Sequence, residues 1–320
     1  MKKKIIILGS SGFIGKNLIE YFEKKKEFIL YGTYNKTKPI KSKKTKFIKC
    51  NLLNSKRVND VLKNKDIVII TAATTSGAKD IIERPYIHVT DNAIMNSIIT
   101  RSAFNNHCKH VIFLSCTVMY RSSNNKIKET DLNLNNEIYP NYFGGAWMKI
   151  FSEKMSEFYS KLGRNKYTII RHSNIYGPHD KYDLKKSHVF GATIAKIKMS
   201  KNGIINIWGH GKEKRDFLFV EDLCNFINLA IKKQKNNYEI FNVGYGNLIS
   251  INNLVKKIAK HLKKKIILKH DYSKKSLDTN IVLDCKKAEL KLGWKIRNTI
   301  DNGIKKTLMW YNKNIGIKSN

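Results

Sequence analysis

Cysteine is scarce and unpaired. There are five in 320 residues, an odd number with no close pair, which excludes a disulfide framework and fits a reducing, cytoplasmic setting. No apolar run approaches the roughly 18–20 residues that span a bilayer, so no membrane partner is expected. The opening stretch MKKKIIILGSSGFIG starts with the basic residues of an export signal. Its apolar run is too short and passes directly into a glycine-rich turn, so no such signal is expected. Internal repeats and low-complexity linkers are absent, and no metal site is expected.

Acidic residues are also few: 25 stand against 61 lysines and arginines, for a net charge of +36. Charge of that size raises the question of nucleic acid. The cations are mostly lysines spread along the chain, as at Lys2–Lys4, Lys24–Lys26 and Lys263–Lys265. They do not gather in one arginine-rich helix with interleaved aromatics, so nucleic acid is not the expected partner. A diffuse positive field would instead collect anionic cofactors and substrates.

What is present is enough hydrophobic residue, 42%, to build one large α/β domain or two modest ones. Lys4-Ile5-Ile6-Ile7-Leu8 is a continuous apolar run, as a strand buried on both faces requires. Phe28–Thr33, Asp66–Ala73, His110–Ser115 and Tyr167–Arg171 read the same way. Between them lie helical patterns at Lys16–Lys25, Lys56–Lys63, Asp91–Asn105 and Trp147–Leu162. This alternation predicts a parallel sheet with right-handed crossovers. After Tyr176-Gly177-Pro178 the pattern loosens into short elements, then helices at Ile251–Leu262 and Asp301–Tyr311. We expect a smaller C-terminal lobe closing over the carboxyl edge of the sheet, where such folds bind ligands.

Gly9-Ser10-Ser11-Gly12-Phe13-Ile14-Gly15 joins the first strand to the first helix. Glycines there permit a tight turn and let backbone N–H groups approach a pyrophosphate at the helix amino end. A strand before the motif and a helix after it make this a dinucleotide site, with contacts expected from Gly9, Ser11, Gly12, Phe13, Ile14 and Gly15. The fold class is therefore α/β, a Rossmann-like doubly wound parallel sheet. The dinucleotide domain is expected over residues 1–176 plus about 216–243, and the second lobe over 177–215 and 244–320. NAD enzymes usually place an acid at the end of the second strand for the ribose diol. Here that stretch is Tyr31-Gly32-Thr33-Tyr34-Asn35-Lys36-Thr37-Lys38. With Asn35 and Lys36 at that place and no acid, NADP is the expected cofactor and NAD the alternative.

The G-x-x-G-x-x-G spacing, Phe113–Tyr120, Asn174-Ile175-Tyr176-Gly177-Pro178-His179-Asp180, Ser187-His188-Val189, and Trp208-Gly209-His210-Gly211 with Arg215-Asp216-Phe217-Leu218 carry a resemblance over nearly the whole chain. It is to the extended short-chain dehydrogenase/reductases acting on nucleotide sugars, above all the GDP-L-fucose synthase branch of epimerase/reductases. The resemblance implies a reductive centre of a hydroxyl, a tyrosine and a lysine, with a proton moving to or from the sugar oxygen. Lys149, with Glu153, matches the K-x-x-x-E helix motif. The tyrosine belongs four residues earlier, where this chain has Gly145. The nearest tyrosine, Tyr142, is the candidate proton donor if the chain bends at Gly144-Gly145; otherwise it packs at a helix start. Cys116 falls on the hydroxyl position, with Thr117 beside it, and Val118 on the position of an epimerising cysteine. His188 matches the general acid of epimerisation.

The resemblance also implies substrate contacts from Asn174, His188, Lys196, Trp208 and Arg215, the last by bidentate contact with a diphosphate. It implies cofactor contacts from Asn51 and Leu52 near adenine, from Ala72 and Ala73, from Lys149 and from His172. Asn92 matches a residue that steadies the active-site helix; a plain helix cap is the alternative. The implied activity is NADP-dependent oxidation or reduction at C4, or epimerisation, of a GDP-linked 4-keto deoxy sugar for surface polysaccharide. Two other activities remain open: a C4-epimerase or dehydratase with bound NAD, and a non-catalytic binder that has lost the tyrosine. A homodimer is implied through Asp91–Asn105 and Trp147–Leu162.

Overall fold

The computed structural model describes residues 2–74, 83–184, 187–274 and 279–315. Strands β1 (Lys3–Leu8), β2 (Phe28–Tyr34), β3 (Thr45–Lys49), β4 (Ile67–Ile70), β5 (His110–Leu114), β7 (Lys166–His172) and β11 (Tyr238–Val243) form one seven-stranded sheet in the order β11-β7-β5-β4-β1-β2-β3. Every pairing in it is parallel, and Ile5 sits opposite both Leu30 and Ile67. The strand order reverses direction between β1 and β4, so their carboxyl ends open onto the crevice where such sheets bind ligands.

The apolar runs explain both covering layers. Ile5 and Ile7 point to one face and pack with Leu18, Phe22, Phe226 and Trp294. These come from α1 (Phe13–Phe22), α6 (Val220–Lys233) and the segment just past α8 (Lys286–Leu292). Ile6 and Leu8 point to the other face and pack with Val58, Leu62 and Ile99, from α2 (Ser55–Leu62) and α3 (Thr90–Asn105). Helix α4 (Phe143–Lys161) lies beside α3.

A second core, with Tyr176, Phe190, Ile194, Ile207, Phe217, Leu254 and Ile304, belongs to the smaller lobe. It contains α5 (Val189–Met199), α7 (Ile251–His261) and α9 (Ile300–Asn314). Its strands are β8 (Asn174–Tyr176), β10 (Lys214–Phe219) and β12 (Leu248–Ser250) in one sheet, with β9 (Ile204–Trp208) paired to β13 (Ile267–Asp271). A short pair, β6 (Lys126–Ile127) with β14 (Val282–Leu283), joins the two halves.

Asp216, on β10, pins the turn after β11 and strand β14. Its fully buried carboxylate accepts from the backbone N–H groups of Tyr245 at 2.7 Å, Gly246 at 2.9 Å and Leu283 at 3.4 Å.

Candidate active site

The glycine turn is shaped by close contacts. Gly9 has φ +89°, and a Cβ there would lie 2.7 Å from the Ala72 backbone; a Cβ on Gly15 would run into the Gly9 carbonyl. These two glycines are required by the fold itself. Gly12 differs, because an added Cβ would meet only the Gly9 carbonyl oxygen at 3.3 Å. It is exposed and stands at the amino end of α1, which no side chain caps. Unpaired N–H groups beside an open glycine form a cradle for phosphate, and a dinucleotide fits these residues. Thr33 braces the turn: its Oγ1 accepts from Gly9 N at 3.1 Å, and its carbonyl accepts from Ser10 N at 2.8 Å.

The other expected cofactor positions ring this turn. Asn35 and Lys36 are exposed just past β2, and just past β4 Ala72 is half-buried and Ala73 exposed. Asn51 is exposed and closes its own turn by accepting from Leu53 N at 3.2 Å, while Leu52 is buried. Asn92 is no helix cap. It lies inside the first turn of α3, and its amide is spent on backbone: Oδ1 accepts from Thr74 N at 2.8 Å, while Nδ2 donates to Thr74 and His88 carbonyls at 2.9 Å each. It therefore positions the loop after β4.

Lys149, on α4, donates to the Leu114 carbonyl at 2.7 Å and lies over the Phe113 ring, at the carboxyl end of β5. One turn further on, Glu153 is buried and held by Ser115 Oγ at 2.6 Å and by Arg171 Nη2 at 2.7 Å. Arg171 also donates to Tyr120 OH at 2.9 Å. This network fixes the face of α4 that carries Lys149. Burial lowers the Lys149 pKa, opposed by Cys116 and Glu153 nearby. Burial raises the Cys116 pKa, opposed by Lys149 and by a hydrogen bond from the Val118 backbone. Thr117 is half-buried next to it.

The chain does not bend at Gly144-Gly145. A 3-10 turn over Pro140–Tyr142 leads into α4, which is regular from Phe143. Gly144 is needed because a Cβ would press Val89 Cγ2 at 2.8 Å, whereas a Cβ on Gly145 would meet nothing within 4 Å. Among the described residues, the position one turn before Lys149 thus faces open space. Tyr142 lies about 10 Å from Lys149 along the helix axis, seven residues at 1.5 Å each. Its hydroxyl pKa is raised by burial, opposed by Arg215 and by a hydrogen bond with Thr279. Arg215 in turn donates to the Thr279 and Lys214 carbonyls. Tyr142 therefore reaches toward the smaller lobe.

From that lobe, His188 stands at the amino end of α5 and is open to solvent. Protein packed around it still lowers its pKa, aided by Lys181 and His88. His172, at the end of β7, is pushed down to about 4 by burial, and Lys149 and His188 oppose its charge as well. Lys149 and His172 thus stand at the carboxyl ends of the neighbouring strands β5 and β7. Asn174 donates to the Asp216 carbonyl at 3.1 Å from the β8 edge. Lys196 donates to the Asn206 carbonyl at 2.8 Å, on the β9 face that also carries the partly exposed Trp208. Thr33, Arg171, Thr279 and His88 escaped sequence reasoning. Only Thr33, a hydroxyl at a strand end beside the glycine turn, carried any local signal.

A parallel sheet with a glycine-turn cradle, a lysine helix at the β5 end and a facing second lobe define a class. The model of the NAD dependent epimerase/dehydratase family matches residues 5–244, and the chain belongs to that family. More particularly, it is similar to the GDP-L-colitose synthase of Yersinia pseudotuberculosis, with 28% identity covering 96% of this chain and 97% of that one. It is also similar to the GDP-L-fucose synthase of Azorhizobium caulinodans, with 26% identity covering 97% and 96%. In fold it resembles the UDP-glucose 4-epimerase of Thermotoga maritima, with TM-score 0.83 and 23% identity over 98% of this chain and 99% of that one.

Proposed function

We propose that this protein is an NADP-dependent oxidoreductase or epimerase acting at C4 of a GDP-linked 4-keto deoxy sugar. The observation that carries the proposal is geometric: Lys149, bonded to the Leu114 carbonyl at the carboxyl end of β5, and His172, ending the neighbouring β7, share the carboxyl edge of the sheet on which the glycine turn also opens. When bound, the nicotinamide supplies or accepts the hydride. Lys149 holds positive charge at the β5 end, and Cys116 and Thr117 present their polar atoms to the sugar oxygen. Arg215, steadied by Thr279, and Lys196 receive the diphosphate. The names of the two relatives support a GDP-sugar.

Incubation with GDP-, UDP- and dTDP-4-keto sugars, followed at the reduced-nicotinamide absorbance, tests this directly. Turnover is expected with GDP sugars, and turnover confined to UDP sugars would overturn the choice of base. Fluorescence titration tests the cofactor. NADPH is expected to bind tighter than NADH, and Lys36→Glu to weaken NADPH by about tenfold through loss of a charge-assisted phosphate contact. Equal binding of both cofactors would remove the NADP assignment.

The protein is further proposed to be a homodimer. Phe143, Trp147, Phe151 and Phe158 are 59%, 39%, 50% and 57% exposed. At 100° per residue they share one narrow stripe of α4, on the side away from Lys149. A second copy would cover that stripe. Phe151→Lys is expected to shift the sedimentation coefficient to that of a monomer, and an unchanged dimer would place the interface elsewhere.

A further inference from the structure

The backbone that carries Arg215 is held by a residue that no motif assigns. Strand β12 covers one edge of β10 from Lys214 to Asp216, while β8 pairs with the other edge only from Phe217 onward. At Lys214, one residue before Arg215, a side chain stands in for the strand: the Lys214 N–H donates to Asn280 Oδ1 at 3.1 Å. The other end of that amide, Nδ2, donates to Asn124 Oδ1 at 3.1 Å. The backbone of Asn280 grips the same loop, its N–H donating to Ser122 Oγ at 2.8 Å and its carbonyl accepting from Ser123 N at 2.6 Å. That loop is itself anchored, because Tyr120, two residues earlier, donates to Asn242 Oδ1 at 2.7 Å and accepts from Arg171. Thr279, just before Asn280, is buried, and its carbonyl accepts from Arg215 Nη1. The same Nη1 donates to the Lys214 carbonyl at 2.9 Å. Both carbonyls under the guanidinium therefore belong to residues that Asn280 fixes, Lys214 by a hydrogen bond and Thr279 by the chain. In a rigid planar fork, two contacts at one nitrogen set the plane of the whole group.

We propose that Asn280 is a positioning residue for a nucleoside diphosphate: it holds Lys214 and Thr279 against the loop after β5, so that Arg215 meets the two phosphates with its plane already set. The inference rests on the nucleotide-sugar function proposed above and adds how the guanidinium is oriented. An arginine that must be ordered when its ligand arrives loses rotamer freedom at that moment, which weakens binding. An arginine already seated on two carbonyls has lost that freedom beforehand. Without Asn280 the Lys214 end of β10 is released on that edge, and the seat under Arg215 loosens.

Calorimetry of GDP binding to the full chain tests this by a double-mutant cycle. Asn280→Ala, and Asn280→Leu, which keeps the volume, should each weaken GDP about five- to tenfold, the factor carried by one net hydrogen bond. Asn124→Ala cuts only the Nδ2 contact and should leave GDP affinity unchanged. In an Arg215→Ala background, Asn280→Ala should cost less than about twofold, because residues that act through one another are not additive. A general loosening of the fold would weaken GDP equally in both backgrounds, and that result overturns the proposal. So does parental affinity in both Asn280 variants, and so does their failure to fold, which would make Asn280 a residue of the fold alone. The unaltered protein separates the two levels of the argument. If it binds UDP and not GDP, the choice of base fails and the same cycle is read with UDP. If it binds neither, the nucleotide-sugar reading fails and takes the role of Asn280 with it.

Discussion

Gly145→Tyr is expected to raise turnover of a GDP-4-keto sugar by roughly 10²–10⁴-fold, the span contributed by a positioned proton donor. The helix is regular through this position, and a Cβ added there meets nothing within 4 Å. A tyrosine one turn before Lys149 would share its face of α4, beside an ammonium that eases ionisation of a phenol. The native Tyr142 cannot use that ammonium, since its hydroxyl answers to Arg215 and Thr279. Glycine within a helix also costs about 0.5–1 kcal/mol relative to alanine, so the variant should melt no lower than the parent. A folded variant with unchanged turnover would show that another group already carries the proton. Cys116→Ala, losing activity in that background, would identify it.

The second large effect concerns stability and pH. Asp180, in the loop after β8, is 7% exposed. Its Oδ1 accepts from Lys181 N at 2.7 Å, while Oδ2 is buried without a partner among the described residues. Burial pushes its pKa up from 3.8 to about 7, opposed by the backbone bond and Lys181. The folded state then holds this proton more tightly than the unfolded chain, so stability falls as pH rises from about 4 to about 7. At roughly 1.4 kcal/mol per pH unit the loss reaches at most about 4 kcal/mol. Asp180→Asn keeps the shape without the charge. Denaturant unfolding should show it about 2–4 kcal/mol more stable than the parent at pH 8 and nearly equal at pH 4. An equal gain at both pH values would mean that the carboxyl is not held neutral.

The large sheet was legible because its strands are buried on both faces, so runs such as Ile5–Ile7 are apolar without alternation. The glycine turn and the Lys149–Glu153 spacing were legible because both are local. Boundaries slipped where contacts between elements decide them. Strand β4 stops at Ile70 instead of Ala73, because Thr71 Oγ1 donates to the Leu8 carbonyl at 2.8 Å and the chain turns to pack on Gly9. Helix α4 begins at Phe143 instead of Trp147, because Gly144 serves close approach to Val89 and does not break the helix. Helix α1 starts at Phe13, ahead of the expected Lys16, with Gly12 as its cap. The Glu153–Arg171 pair joined the site through tertiary contacts that no spacing in one segment announces.

The parallel pairing of β11 with β7 has a consequence for how the chain is born. Residues 238–243 dock along 167–172, and between them the chain builds β8, α5, β9, β10 and α6. A nascent chain leaving the ribosome with everything through β7 complete would still bear a raw, hydrogen-bond-hungry margin beside that strand. Only after the first part of the smaller lobe and helix α6 have been synthesised does the closing strand arrive. The margin would stay open to mispairing during that interval, so the demand for chaperone protection should peak late in translation.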